Sequence, residues 1–108
     1  MGANTGMALN IQQMGAAKKT WMQLSPSQQA LLQMAWELGW HYGEPLPNRD
    51  SKKASMLRDI KAKGLLHPAH YQGENCFGIT ELGQYVYTHS EKYYECCQRY
   101  KGYERRGT

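Results

Sequence analysis

Along the chain, apolar residues recur at helical spacing in some stretches and give way to short extended runs in others. From Met7 onward, Met7, Ile11, Met14, Lys18 and Trp21 fall on one helical stripe, interrupted by Gly15. This predicts a short N-terminal helix within an arm covering residues 1–24. Leu24-Ser25-Pro26-Ser27-Gln28 is a helix start. Ser25 caps, Pro26 suits the first turn, and Gln28 completes a capping box. The helix is expected over 26–38, with Gly39 ending it. Leu31, Met34, Ala35 and Leu38 make its main apolar face, and Leu32 and Trp36 a flanking strip. Residues 39–50, GWHYGEPLPNRD, read as an irregular connection punctuated by two Gly and two Pro, with Trp40 or Tyr42 plugging the core.

The stretch 49–64, RDSKKASMLRDIKAKG, is an amphipathic helix over 51–63. Ala54, Ile60 and, at the edge, Met56 share the face of Leu57. Ser51, Lys52, Ser55, Arg58, Asp59, Ala62 and Lys63 point away. Asp50 or Ser51 caps it and Gly64 ends it. Two extended runs follow, Leu65 to His70 and Cys76 to Ile79, around a polar turn containing Gly73, which predicts a hairpin across 65–80. Thr80 caps the last helix. Leu82, Tyr85, Val86, His89, Tyr93, Cys96, Cys97, Tyr100 and Tyr103 fall within a stripe about 120° wide. A continuous helix over 81–100 would be roughly 30 Å long. That outruns a small core, so the distal half needs a second surface. The expectation is a homodimer joined through Tyr93, Cys96, Cys97, Tyr100 and Tyr103. A disordered tail is expected after Tyr103.

Composition narrows the class. A chain of 108 residues with 41% hydrophobic content supports one domain with a small core and an extra segment or two. The longest apolar run is too short to cross a bilayer. The N-terminus lacks the basic start and apolar core of a signal peptide. Cys76, Cys96 and Cys97 are an odd number of cysteines, which fits reduced thiols in the cytoplasm. The net charge of +4 is local: residues 49–63 hold six Lys/Arg and two Asp, which also gives +4. An anionic partner is therefore expected at this helix and not over the whole surface.

The order of helix, linker, basic helix, Gly64-Leu65-Leu66, hairpin, Ile79-Thr80-Glu81-Leu82-Gly83 and helix resembles a winged helix-turn-helix domain. One junction that carries the resemblance is Leu57-x-x-Ile60-x-x-x-Gly64-Leu65-Leu66. The other is Phe77-x-Ile79-Thr80-Glu81-Leu82-Gly83. The match covers about residues 25–90. It implies a mainly α fold with a small β-hairpin; beyond it, residues 91–108 are expected as the extension of a long C-terminal helix and a disordered tail. GWHYGEPLPNRD stands where such a domain carries its second helix, so that helix is shortened or replaced by a loop.

The resemblance implies double-stranded DNA as partner and puts Lys52, Ser55, Arg58, Asp59 and Ala62 on the exposed face of a recognition helix. Arg58 would read a guanine edge, while Lys52 and Ser55 would hold phosphates. Arg49, Lys53, Lys61 and Lys63 would flank the backbone. The hairpin tip offers Glu74 and no basic residue, so little contact is expected there. His41, His67, His70 and His89 lack metal-ligand spacing, and His89 is expected as a core or interface histidine with a hydrogen-bonded partner. No phosphate loop, nucleophile elbow or convergent carboxylate pair is present. Neither an enzyme nor a cofactor is expected. The leading expectation is a small DNA-binding transcriptional regulator. The alternative is a winged-helix adaptor or inhibitor docking on a protein or nucleoprotein complex, of a size that would suit a phage or mobile element.

Overall fold

The computed structural model describes residues 11–98. Tyr100 and Tyr103, and Met7 of the N-terminal stripe, lie outside them. Two short helices, α1 (Ile11–Gly15) and α2 (Ala17–Gln23), lead to α3 (Pro26–Tyr42). Strand β1 (Leu46–Pro47), helix α4 (Ser51–Ala62), strands β2 (Leu66–Tyr71) and β3 (Glu74–Ile79), and helix α5 (Glu81–Thr88) follow. A last helix, α6, occupies 91–98. The three strands form an antiparallel sheet in the order β1-β3-β2. The fold is thus mainly helical with a small sheet, as the patterning predicts.

Helix α3 begins with the expected capping box: Ser25 Oγ accepts from Gln28 N–H, and Gln28 Oε1 accepts from Ser25 N–H. It runs past Gly39 to Tyr42 and stops at Gly43, whose φ of +66° gives the left-handed cap. Gly39 costs the helix about 1 kcal/mol relative to alanine, and the stack of Trp40 on Trp36 one turn back favours carrying the helix across it. Trp40 and Tyr42 are therefore helical and outward-facing, each 71% exposed, and plug no core. Leu31, Leu32 and Ala35 are buried, whereas Met34 is exposed. In the expected irregular connection, Leu46 and Pro47 pair with Phe77 and Cys76, so β3 becomes the central strand.

Thr80 ties the two ends of the hairpin together. Its N–H donates to Leu65 O at 3.1 Å, and its hydroxyl donates to Gly64 O at 2.6 Å. Thr80 Oγ1 in turn accepts from Gly83 N–H at 2.9 Å, capping α5. Gly83 is buried against this junction, and a Cβ there would fall on the carbonyl oxygen of Leu65. The hairpin turns on Gln72 and Gly73, both left-handed, with φ of 52° and 79°. A two-residue loop of that form matches the twist of the flanking strands.

The expected single helix over 81–100 is broken at His89 and Ser90. Ser90 is buried; its hydroxyl donates to Tyr87 O at 2.6 Å and accepts from Tyr93 N–H at 3.2 Å. It therefore closes α5 and caps α6 at once. The break turns α6 back onto the chain. Tyr93 meets Trp36 edge-on at 5.3 Å and Tyr87 at 5.5 Å. Gln33 Nε2 approaches Cys96 Sγ at 4.0 Å. The second surface for Tyr93 is this aromatic cluster, which Trp21 completes at 6.0 Å from Tyr87. His89, expected at the core or interface, is exposed; it bonds to Tyr85 O and stacks on the Tyr85 ring.

Candidate nucleic-acid interface

Helix α4 is held at both ends by its own sequence. Asp50 Oδ1 accepts from Lys52 N–H at 2.9 Å. At the other end, Gly64 N–H donates to Lys61 O and Leu65 N–H to Ile60 O, with Gly64 at φ +80°. This is a Schellman closure, and Leu65 and Ile60, both fully buried, make its apolar contact. Twelve residues rarely stay helical alone. Burial of Leu57 and Ile60, about 1.5–3 kcal/mol each, supplies what propensity does not. Their face is committed to the core, which leaves the charge outside.

The expected site residues divide into two strips. Arg58 and Lys61, with Ala54, line the flank of α4 that faces the hairpin. Between them lies an open groove of about 480 Å³, whose other wall includes Asn48, Asn75 and His70. No carboxylate lines it. Lys52, Ser55, Asp59 and Ala62 are exposed one strip further round, on the outermost face. Arg58 lies one turn from Ser55 on the exposed side of α4, and of Lys52, Ser55 and Arg58 it is the one that lines the groove. Lys53 and Lys63 are exposed and lie outside the groove.

Arg49 is held by the hairpin. Its Nε donates to Glu74 Oε1 at 2.7 Å and its Nη2 to Oε2 at 3.1 Å, a two-pronged pair. The hydrogen bond to Arg49 holds the Glu74 carboxyl below its ordinary range, and the reciprocal bond raises the guanidinium. Both groups are solvent-exposed, so the pair adds little stability. It does neutralise Arg49 as a phosphate contact. By contrast, Lys52, Lys53, Arg58, Lys61 and Lys63 have no acidic partner among the described residues.

Asn48, His70 and Asn75 were missed as groove residues. Asn48 comes to the groove because the sheet continues past β1, with Asn48 N–H donating to Asn75 O at 3.3 Å. The alternation of Pro45 and Pro47 around Leu46 was the available signal, since it keeps the segment extended. Among the described residues no three His, Cys, Asp or Glu side chains converge as metal ligands, and no helix is long and apolar enough to cross a membrane. Comparison with models of known protein families, with curated proteins and with solved structures found no match for the chain.

Proposed function

We propose that this chain is a small cytoplasmic DNA-binding regulator of the winged-helix kind, with α4 as its recognition helix. The observation that carries the reading is the set of four cations on a short helix, with Lys63 at its C-cap, that have no acidic partner among the described residues while the helix's apolar face is already used. Lys61 would follow a phosphate strand along the groove beside the hairpin, and Arg58 would reach a base edge from the same flank. Lys52 and Ser55 would meet the duplex from the outer face. The strand β1 fills the place of a second helix, so docking would lean on α4 and the groove wall.

Titration of random and pool-selected duplexes at two salt concentrations tests this. Lys52→Ala should weaken binding to all sequences alike and make the salt slope shallower by about one. Arg58→Ala should cost about 1–3 kcal/mol on the selected site and less on random DNA, because a bidentate base contact exists only where the right base does. Equal, negligible affinity for the wild type and both variants would remove the reading. A second reading, a protein-docking adaptor, is favoured by one observation. Trp40 stacks on Trp36 at 5.7 Å yet remains 71% exposed, an arrangement DNA contact through α4 does not use.

A further inference from the structure

The hairpin separates two clefts of opposite chemical character. The groove on the α4 side carries Arg58 and Lys61 and no carboxylate. On the other side, an open cleft of about 430 Å³ lies between the C-terminal half of α3 and the sheet. Trp36, Trp40, Tyr71 and Glu44 line it, and no Lys or Arg does. His70 of β2 borders both clefts, and His67 only this one.

Three features of this cleft favour a cation. The indole planes of Trp36 and Trp40 are nearly parallel, 6° apart, and Trp40 is largely open to solvent. An exposed aromatic face attracts a cation through its quadrupole. Glu44 is half-buried, and its carboxylate has no hydrogen-bond or ion-pair partner among the described residues. The cleft also borders the end of α3, a 17-residue helix whose last carbonyls carry partial negative charge. Gly39 and Gly43 contribute no side chains to the wall, so a flat group can approach the backbone there, whereas the His67 ring covers Gly78.

We infer that this cleft takes an arginine side chain from a protein partner. A guanidinium is planar, stacks on an indole, and meets a carboxylate with two parallel N–H donors. Here Trp40 would supply the stacking face and Glu44 the carboxylate. An ammonium group would satisfy the charge but would leave the indole plane without a flat partner. The inference stands independently of DNA binding by α4.

The test uses the intact protein and acetylated, amidated Gly-X-Gly peptides, with X as arginine, lysine or the uncharged isostere citrulline. Tetramethylammonium is the free-cation control. Binding is read by NMR from the indole N–H resonances of Trp40 and of Trp36, which also lines the cleft, and from Trp36 alone in Trp40→Ala. The arginine peptide should shift it saturably, with Kd on the order of 1 mM, and citrulline should bind on the order of tenfold more weakly. Glu44→Gln and Trp40→Ala should each weaken the arginine peptide about tenfold, with thermal melts showing both variants folded. Arg58→Ala should leave it unchanged. Citrulline binding as well as arginine, or Glu44→Gln and Trp40→Ala without effect, would overturn the inference. So would no response at Trp40 up to tens of millimolar. Equal binding of lysine or tetramethylammonium would overturn arginine as the guest.

Discussion

Replacing Gly83 by alanine should destabilise the fold by about 1–3 kcal/mol, the range for forcing atoms into a packed site. The added carbon meets the Leu65 carbonyl, which is backbone and has little room to give. Urea unfolding should show a lower midpoint with an unchanged slope. Alanine at Gly15, where the same carbon meets nothing, is the control. Glu74 offers a test of opposite kind. Glu74→Gln frees Arg49, so the DNA reading expects tighter binding at low salt and a salt slope steeper by about one. The pair itself is pH-dependent. Its contribution is present above the ordinary carboxylate range and disappears as pH falls through the lowered Glu74 value. An NMR titration should place the Glu74 carboxyl below 4.5 and return it upward in Arg49→Gln.

At the scale of elements, Ser90 decides the path of the C-terminal half. Ser90→Ala removes a buried cap and should cost about 0.5–2 kcal/mol, with the amides of α6 losing hydrogen-exchange protection before those of α5. The motif Ser90-Glu91-Lys92-Tyr93 was legible as a cap, but the apolar stripe runs across it, and periodicity alone does not see a break. Other elements were legible because their signals are local. The capping box of α3, the Asp50 and Gly64 ends of α4, and the Thr80 start of α5 each rest on residues within a few positions. What escaped depends on distant partners. β1 exists only by pairing with β3, and the groove forms where α4 meets a hairpin that follows later in the chain. The basic residues of the candidate site were therefore readable, while their division into two strips was not.

For the molecule as a whole, the aromatic cluster of Trp21, Trp36, Tyr87 and Tyr93 joins four helices. Tyr87 is only 1% exposed, and burial, followed by the nearby thiols and Glu37, pushes its hydroxyl well above the ordinary range. Its neutral form is the one the fold accepts, so this contribution is intact below about pH 10 and fades as pH rises beyond it. Tyr93→Lys should lower the melting temperature of the single chain, because Tyr93 packs on Trp36 and Tyr87. Light scattering on the wild type and this variant separates the two roles. A stable variant that changes from dimer to monomer would make Tyr93 an interface residue.

The order β1-β3-β2 has a consequence for how copies of this chain can meet. One side of the sheet is closed by a strand of only two residues, and the other is β2, a six-residue edge with Pro68 in its middle. Proline has no N–H to donate, so a second chain laid along that edge would find the ladder interrupted at its centre. Templated strand addition, the common route from a small sheet to fibrils, is thereby blocked on the longer side and starved of length on the shorter. Among the described residues, helix faces offer self-association a better surface than either edge of the sheet.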